Sequence, residues 1–133
     1  MQLINRCPFC KTEEETGQHL FLECQVTQQL WEPFMSICDG DFVWNTDWAS
    51  ITGAVGHKDL SELGKFYWKL IIHAICWGIW LERNARVFDG EERSIQQVIG
   101  SIKKLIWAWG LQDSIGRSVR SENVMFDWHS ILY

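Results

Sequence analysis

The spacing of apolar side chains predicts that the chain is helical over most of its length. Between residues 60 and 81, apolar residues recur three and four positions apart, which is the period of an α-helix. After residue 70 the apolar stripe widens until it nearly encircles the helix, so we expect a central, largely buried element. Asp59 and Glu62 form a capping-box pair at its start, and we expect its end near Arg86.

Three further helices are expected around this central one. Apolar residues at helical spacing predict a helix over Cys24–Cys38, and Asp47 can cap a short helix after it. Ser94 and Gln97 form a second capping box. The amphipathic helix that follows them is expected to stop at Gly110.

Three thiols and one imidazole are crowded near the amino terminus. Cys7, Cys10, His19 and Cys24 have the spacing C-x2-C-x8-H-x4-C. This donor set suits tetrahedral Zn²⁺, and four protein ligands leave no position for a substrate water. The spacing therefore predicts one structural Zn²⁺ rather than a catalytic one. The alternative is that the cysteines are unligated thiols and the histidine lies on the surface.

These patterns together predict a mainly α fold. We expect a small N-terminal zinc knuckle, then a bundle of about three to four helices and a poorly ordered C-terminal tail. The expected divisions are 1–38 for the CCHC zinc-binding knuckle with its following helix, 39–110 for the helical region and 111–133 for the tail.

Composition supports a folded core and a reducing environment. Of 133 residues, 47% are apolar and nine are tryptophan, which argues against disorder. Five cysteines are an odd number and three have metal-ligand spacing, so a disulfide framework is a poor explanation. We expect a cytoplasmic or nuclear protein that is not secreted. The apolar run over 70–81 is too short to cross a bilayer, so no membrane partner is expected.

The charge balance limits nucleic-acid binding without excluding it. A net charge of −5 disfavours a domain that clamps many phosphates by bulk electrostatics. Phe9 and Phe21 are candidates for base stacking, with Arg6 and Lys11 beside them for phosphate. Nearby glutamates would repel phosphate, so the alternative is that these rings pack the knuckle onto the following helix.

No catalytic constellation is evident in the chain, so we do not expect an enzyme. There is no nucleophile context for a Ser-His-Asp set and no phosphate-binding glycine loop. His73 is expected to be a hydrogen-bonded core histidine. Arg83 is expected to pair with Glu82, Asp89 or Glu91 near the end of the long helix.

Two motifs resemble segments of a known family. The first comprises Cys-Pro-Phe-Cys at 7–10, Glu-Thr at 15–16, His-Leu-Phe at 19–21, Cys24 and Trp31. It resembles the zinc-binding domain found after the reverse transcriptase in plant LINE-type (non-LTR) retrotransposons. The sequence of 77–88 is similar to the W-x-I-W-x-x-R-N-x-x-x-F segment that follows in those proteins. The resemblance implies the same four zinc ligands and a parent polyprotein whose polymerase copies element RNA into DNA.

The resemblance does not extend to the polymerase. The chain has no paired-aspartate polymerase motif, endonuclease constellation or ribonuclease H-like region, so we expect a detached or truncated piece. The function expected is a zinc-binding accessory module, with RNA or DNA and the polymerase or other polyprotein domains as partners. The alternatives are a helical protein-interaction or structural module, or a remnant of a decayed retroelement without selected activity.

Overall fold

The described part of the chain is helical and contains no β-strand. The computed structural model describes residues 5–35, 60–113, 117 and 119–126. Its α-helices are α1 (Gln25–Met35), α2 (Glu62–Asn84), α3 (Ile95–Gly110) and α4 (Ser121–Phe126), and two π-helical turns span His19–Glu23 and Ala85–Asp89. A mainly α fold is therefore confirmed. The short helix expected after Asp47 lies outside the described residues.

The central helix α2 begins at Glu62, with Ser61 as its N-cap. The Ser61 hydroxyl accepts a hydrogen bond from the Gly64 amide at 2.9 Å, which satisfies one of the unpaired N–H groups of the first turn. The expected cap at Asp59 is therefore wrong by two positions. At its other end α2 passes into the second π-helical turn, which ends at Gly90 in the left-handed conformation.

The helices α2 and α3 form an antiparallel pair that approaches closely at two glycines. A Cβ at Gly110 would lie 2.5 Å from the Tyr67 hydroxyl, and one at Gly78 would lie 2.5 Å from Ile102 Cγ1. Gly110 was expected as a helix-stopping residue. The helix does end there, but the following residue, Leu111, is right-handed. Glycine at 110 therefore makes room for Tyr67 and does not supply a left-handed cap.

The start of α3 is the capping box that the sequence predicts. The Gln97 amide donates to the Ser94 hydroxyl at 3.2 Å, and the Ser94 amide donates to the Gln97 side chain at 2.9 Å. Val98, Ile102 and Ile106 then recur every fourth residue and are almost fully buried. This face of α3 packs against α2.

One hydrophobic core joins the N-terminal segment to the helices. From α1 it includes Leu30, Trp31 and Phe34, all without exposed surface. Phe9 and Leu22, which lie among the metal-ligand residues, belong to the same core. Because the two parts share a core, the N-terminal segment is a layer of the helical fold rather than a separate unit.

Two other expectations concern His73 and the C-terminal tail. His73 is exposed on α2, with its Nδ1 2.7 Å from the Lys69 carbonyl, so the expected core position is wrong. Within the expected tail, α4 contacts α3 and fully buries Val124. Residues 127–133 lie outside the described residues.

A helix that crosses a membrane must be long and strongly apolar. In the ranges that the structure describes, no helix has both the length and the apolarity for it.

Candidate metal centre

A short hairpin-like loop positions Cys7 and Cys10. Its ends are tied by the Glu15 amide, which donates to the Asn5 carbonyl at 2.8 Å, and by the Cys7 amide, which donates to the Glu13 carbonyl at 2.8 Å. Inside the loop the Lys11 amide donates to the Cys7 carbonyl at 2.8 Å. Lys11 has a φ of 62°, a left-handed conformation that is uncommon for a residue with a side chain. The backbone therefore reverses directly after Cys10, which keeps both thiols at the tip.

The first π-helical turn positions His19 and Cys24. The Thr16 hydroxyl accepts from the His19 amide at 3.0 Å, and the Cys24 amide donates to the His19 carbonyl at 2.7 Å. In an α-helix, residues five apart lie about 140° apart around the axis, so the wider turn is what brings these two ligands together. The Trp31 indole donates to the Phe21 carbonyl at 2.8 Å, which fixes the turn against α1.

The four predicted ligand residues meet at one point. The Sγ atoms of Cys7 and Cys24 are 3.8 Å apart, and Cys10 Sγ is 3.3 Å from His19 Nε2. The four donor atoms all lie within 4.8 Å of one another. A tetrahedral ion with metal–sulfur bonds of about 2.3 Å has a sulfur–sulfur edge of about 3.8 Å. The donor set therefore fits a single tetrahedral metal ion.

The two thiols on either side of the loop tip have opposite electrostatic surroundings. Cys7 and Cys24 are fully buried, and desolvation by burial raises the pKa of the Cys7 thiol to about 12. Desolvation also acts on Cys10, but hydrogen bonds from Thr12, the Glu13 amide and His19 outweigh it and lower the pKa of that thiol to about 5. A metal cation is the charge that would stabilise a thiolate at the buried Cys7.

One edge of the centre faces solvent. Cys10 and His19 are half-buried and line an open depression of about 350 Å³ together with Thr12, Glu13, Glu23 and Gln25. The Cys7–Cys24 edge faces the core instead. Solvent therefore reaches the centre from the Cys10 and His19 side.

Arg83 joins the loop to the far end of α2. Its guanidinium donates to both carboxylate oxygens of Glu15, at 3.1 and 2.8 Å, and this contact raises the pKa of Arg83. The expected pairing with Glu82, Asp89 or Glu91 is therefore wrong. The reason is tertiary: the chain folds back so that the loop lies beside this turn of α2.

Arg86 makes a second connection to the loop. Its guanidinium lies over the Phe9 ring, 4.6 Å from the centroid, and donates to the Pro8 carbonyl at 3.2 Å. Arg86 also donates to Glu82 at 3.0 Å. The segment between the two cysteines is therefore held directly by the second π-helical turn.

Glu82 is a buried residue of this junction whose role sequence reasoning missed. Its carboxylate has no exposed surface and accepts from Arg86 Nε at 3.0 Å and from the Arg93 amide and Nε at 3.1 and 2.9 Å. Burial raises the pKa of Glu82, but these hydrogen bonds outweigh it and leave the pKa below its usual value. The signal available in the sequence was that Glu82 is the one acid between residues 63 and 88, directly after the apolar run.

The structure separates the four nucleic-acid candidates. Phe9 is 5% exposed beneath Arg86 and packs in the core, which is the alternative given for it above and not an exposed stacking surface. Phe21 is half-buried against the core. Arg6 is exposed and donates to the Thr12 carbonyl at 2.7 Å, and Lys11 pairs with Glu92 at 2.6 Å.

The comparison with known families concerns the segment that carries this centre. Residues 1–31 match the model of a family described as zinc-binding in reverse transcriptase. This match contains all four Cys and His donors and ends at Trp31. Searches of the curated proteins and of the solved structures give no match.

Proposed function

We propose that the chain is a zinc-binding accessory module of a plant LINE-type reverse transcriptase polyprotein, with one structural Zn²⁺ on Cys7, Cys10, His19 and Cys24. The observation that carries the proposal is the convergence of these four donor atoms within 4.8 Å. The family match over residues 1–31 supports it. The similarity of 77–88 to the segment that follows in those polyproteins supports the more specific origin.

The donor set favours zinc over other ions. Soft thiolate ligands select zinc, copper(I) or iron–sulfur clusters over magnesium or calcium, and a Cys₃His set is a recurrent ligand set of structural zinc. Three thiolates and a neutral imidazole leave the zinc-loaded site with a formal charge of about −1. The centre itself would therefore not attract phosphate.

The proposed role of the ion is structural, and we propose no enzymatic activity. Four protein donors complete a tetrahedral shell, so no coordination position remains for a substrate. Two of the donors come from the loop and two from the first π-helical turn. The ion would thus connect two short segments, and in small zinc peptides such binding contributes on the order of 10–16 kcal/mol.

The proposed partners are RNA or DNA and the polymerase or other domains of the parent polyprotein. The family description supports a role beside a reverse transcriptase. On the loop itself, Arg6 is exposed and available for phosphate, whereas Lys11 is paired with Glu92. The loop therefore supports nucleic-acid contact only weakly.

A second candidate function is that of a helical protein-interaction module. Trp77, Trp80, Leu81 and Phe88 are between 39% and 73% exposed, and large apolar side chains clustered on a surface often mark a contact site. Light scattering over a range of concentrations tests whether this surface mediates self-association. A mass that rises with concentration in wild type but not in Trp77→Ala would favour it.

Metal analysis of the purified protein tests the zinc proposal. We expect about one zinc per chain in wild type. We expect none in Cys10→Ser, because that variant has only three of the four donors that complete the tetrahedral shell. Cys76→Ser is the matched control, since Cys76 lies on α2 outside the donor cluster and its loss should leave zinc content unchanged. Absence of zinc from the wild type, or equal zinc in Cys10→Ser and Cys76→Ser, would contradict the proposal.

A further inference from the structure

Beyond its first residue, Glu62, the solvent face of α2 combines cations and aromatic rings without exposed acids. We call it the outer face, and its exposed members are Lys65, Lys69, His73, Trp77 and Trp80. Between residues 63 and 88 the sequence has one acid, Glu82, and that carboxylate is fully buried. In a chain of net charge −5, this face therefore presents only cationic, neutral polar and apolar groups.

Helical geometry makes these residues one continuous surface. With 3.6 residues per turn, Lys69, His73, Trp77 and Trp80 lie within a sector of about 80° around the axis. Trp77 and Trp80 are 46% and 39% exposed and are separated by about 4.5 Å along the axis. The indoles of Trp77 and Trp80 therefore extend the surface formed by Lys69 and His73.

Arg83 fixes the orientation of the rings at the carboxyl end of this surface. Its guanidinium lies 5.2 Å from the Trp80 ring centroid and 5.8 Å from that of Phe88, which is 73% exposed. The same guanidinium is held by both carboxylate oxygens of Glu15. The metal-binding loop therefore helps to position the aromatic end of the outer face.

We propose that the outer face of α2 binds single-stranded nucleic acid, with bases stacked on Trp77 and Trp80 and the backbone along Lys65 and Lys69. Base–aromatic stacking is tolerant of sequence, and a positive track follows the phosphates. This inference rests on the proposed nucleic-acid role and moves its main surface from the loop to α2. The Lys69 ammonium makes no ion pair with the part of the chain that the structure describes.

Acidic groups mark where the surface ends. Glu62 lies before it and is 3.4 Å from Lys65, and Asp89 follows Phe88 directly. Both would repel phosphate, so the contact is confined to the segment between them. With two or three cations at most, stacking must supply most of the affinity, and binding should weaken only about tenfold between 50 and 200 mM salt.

Fluorescence anisotropy with a labelled 20-nucleotide oligo(dT) or oligo(U) tests the proposal on the full, zinc-loaded chain. Trp77→Ala should weaken binding by about tenfold or more, and Trp77→Phe should retain most of it because a ring remains. Lys69→Ala should weaken it by a few-fold. The matched controls are Leu111→Ala and Lys104→Ala, exposed residues of α3 and its end, which should bind as wild type does.

Several outcomes would overturn the proposal. If Arg6→Ala weakens binding and Trp77→Ala does not, the loop is the binding surface. Binding to vesicles of one part phosphatidylserine to three parts phosphatidylcholine without binding to the oligonucleotides would assign the face to a membrane. Self-association lost in Trp77→Ala, again without oligonucleotide binding, would assign it to a second copy. Zinc content measured on the same samples reports separately on the proposed metal function.

Discussion

Arg83 and Glu15 are 68 positions apart in the sequence and meet through two hydrogen bonds of 2.8 and 3.1 Å. The side chains of Arg83 and Glu15 are 18% and 15% exposed, so water screens this pair less than it screens a surface pair. The contact joins the metal-binding loop to the end of α2. Together with the burial of Phe9, Leu20 and Leu22 in the core, it holds the ligand cluster in place.

The first prediction concerns this pair. Arg83→Lys should destabilise the fold, because an ammonium cannot donate to both carboxylate oxygens with the geometry of a guanidinium. A double-mutant cycle with Arg83→Ala and Glu15→Ala, measured by urea denaturation, should give a coupling of about 1–2 kcal/mol. Lys11 and Glu92 form an exposed pair and serve as the control, and their coupling energy should be clearly smaller because solvent screens it. Equal coupling in the two pairs would contradict the importance assigned to Arg83.

The second prediction concerns Glu82. Glu82→Gln should cost about 3–5 kcal/mol at neutral pH, because it leaves two guanidinium groups without their buried counter-charge. Glu92→Gln, which removes an exposed acid, should leave the free energy of unfolding almost unchanged. Urea denaturation followed by circular dichroism measures both. A small effect of Glu82→Gln would mean that the two arginines find other acceptors.

The third prediction is a pH dependence that follows from the lowered pKa of Glu82. A depressed carboxyl pKa stabilises the fold above the ordinary value of 4.5 and loses that contribution as the pH falls through the folded-state value. The stability difference between wild type and Glu82→Gln should therefore narrow below about pH 4.5. Comparing the two proteins at each pH cancels the acid release of metal, which both share. A difference that stays constant with pH would show that the Glu82 carboxylate does not titrate in this way.

The fourth prediction concerns the close approach of α2 and α3. Gly78→Ala should destabilise by about 1–3 kcal/mol, because its Cβ would overlap Ile102. Gly100 lies inside α3, and a Cβ at that position would have no neighbouring atom within 4 Å. Gly100→Ala should therefore stabilise by about 0.5–1 kcal/mol through helix propensity. Thermal unfolding of the two variants should shift in opposite directions, and equal shifts would contradict the tight helix contact.

The fifth prediction concerns removal of the metal. Chelation should abolish amide protection over residues 5–24, because it removes the ion that joins the loop to the first π-helical turn. Protection should also fall over Ala85–Asp89, since Arg86 packs on Phe9, while the centre of α2 and α3 should stay protected. Hydrogen exchange with and without chelator measures this. Unchanged protection over 5–24 would show that packing alone orders the segment.

Part of this organisation could be predicted from the sequence because it is local. The spacing of Cys7, Cys10, His19 and Cys24 selects the donor set, since tetrahedral coordination constrains short-range spacing. The capping box of Ser94 and Gln97 is likewise a contact within one turn and is confirmed. The helical period of the apolar residues predicted α1, α2 and α3 for the same reason.

The long-range arrangement is decided by the tertiary structure. Nothing in the sequence near Arg83 indicates Glu15 as its partner, and the nearby acids were the natural expectation. Phe9 has an aromatic ring that could stack on a base, yet the ring is buried because Arg86 and the helical core cover it.

The ligand set and the helices are therefore properties of the sequence by itself, since they depend on chemistry within a few residues. The tertiary structure alone decides that the loop rests on Arg83 of α2 and on Arg86 of the second π-helical turn, which Glu82 holds in place. It also decides that α2 keeps an exposed aromatic and basic face. The physical reason is that burial and ion pairing depend on which distant segments share a core. A periodic pattern indicates that one face of a helix is apolar, but it does not indicate which segment of the chain packs on that face.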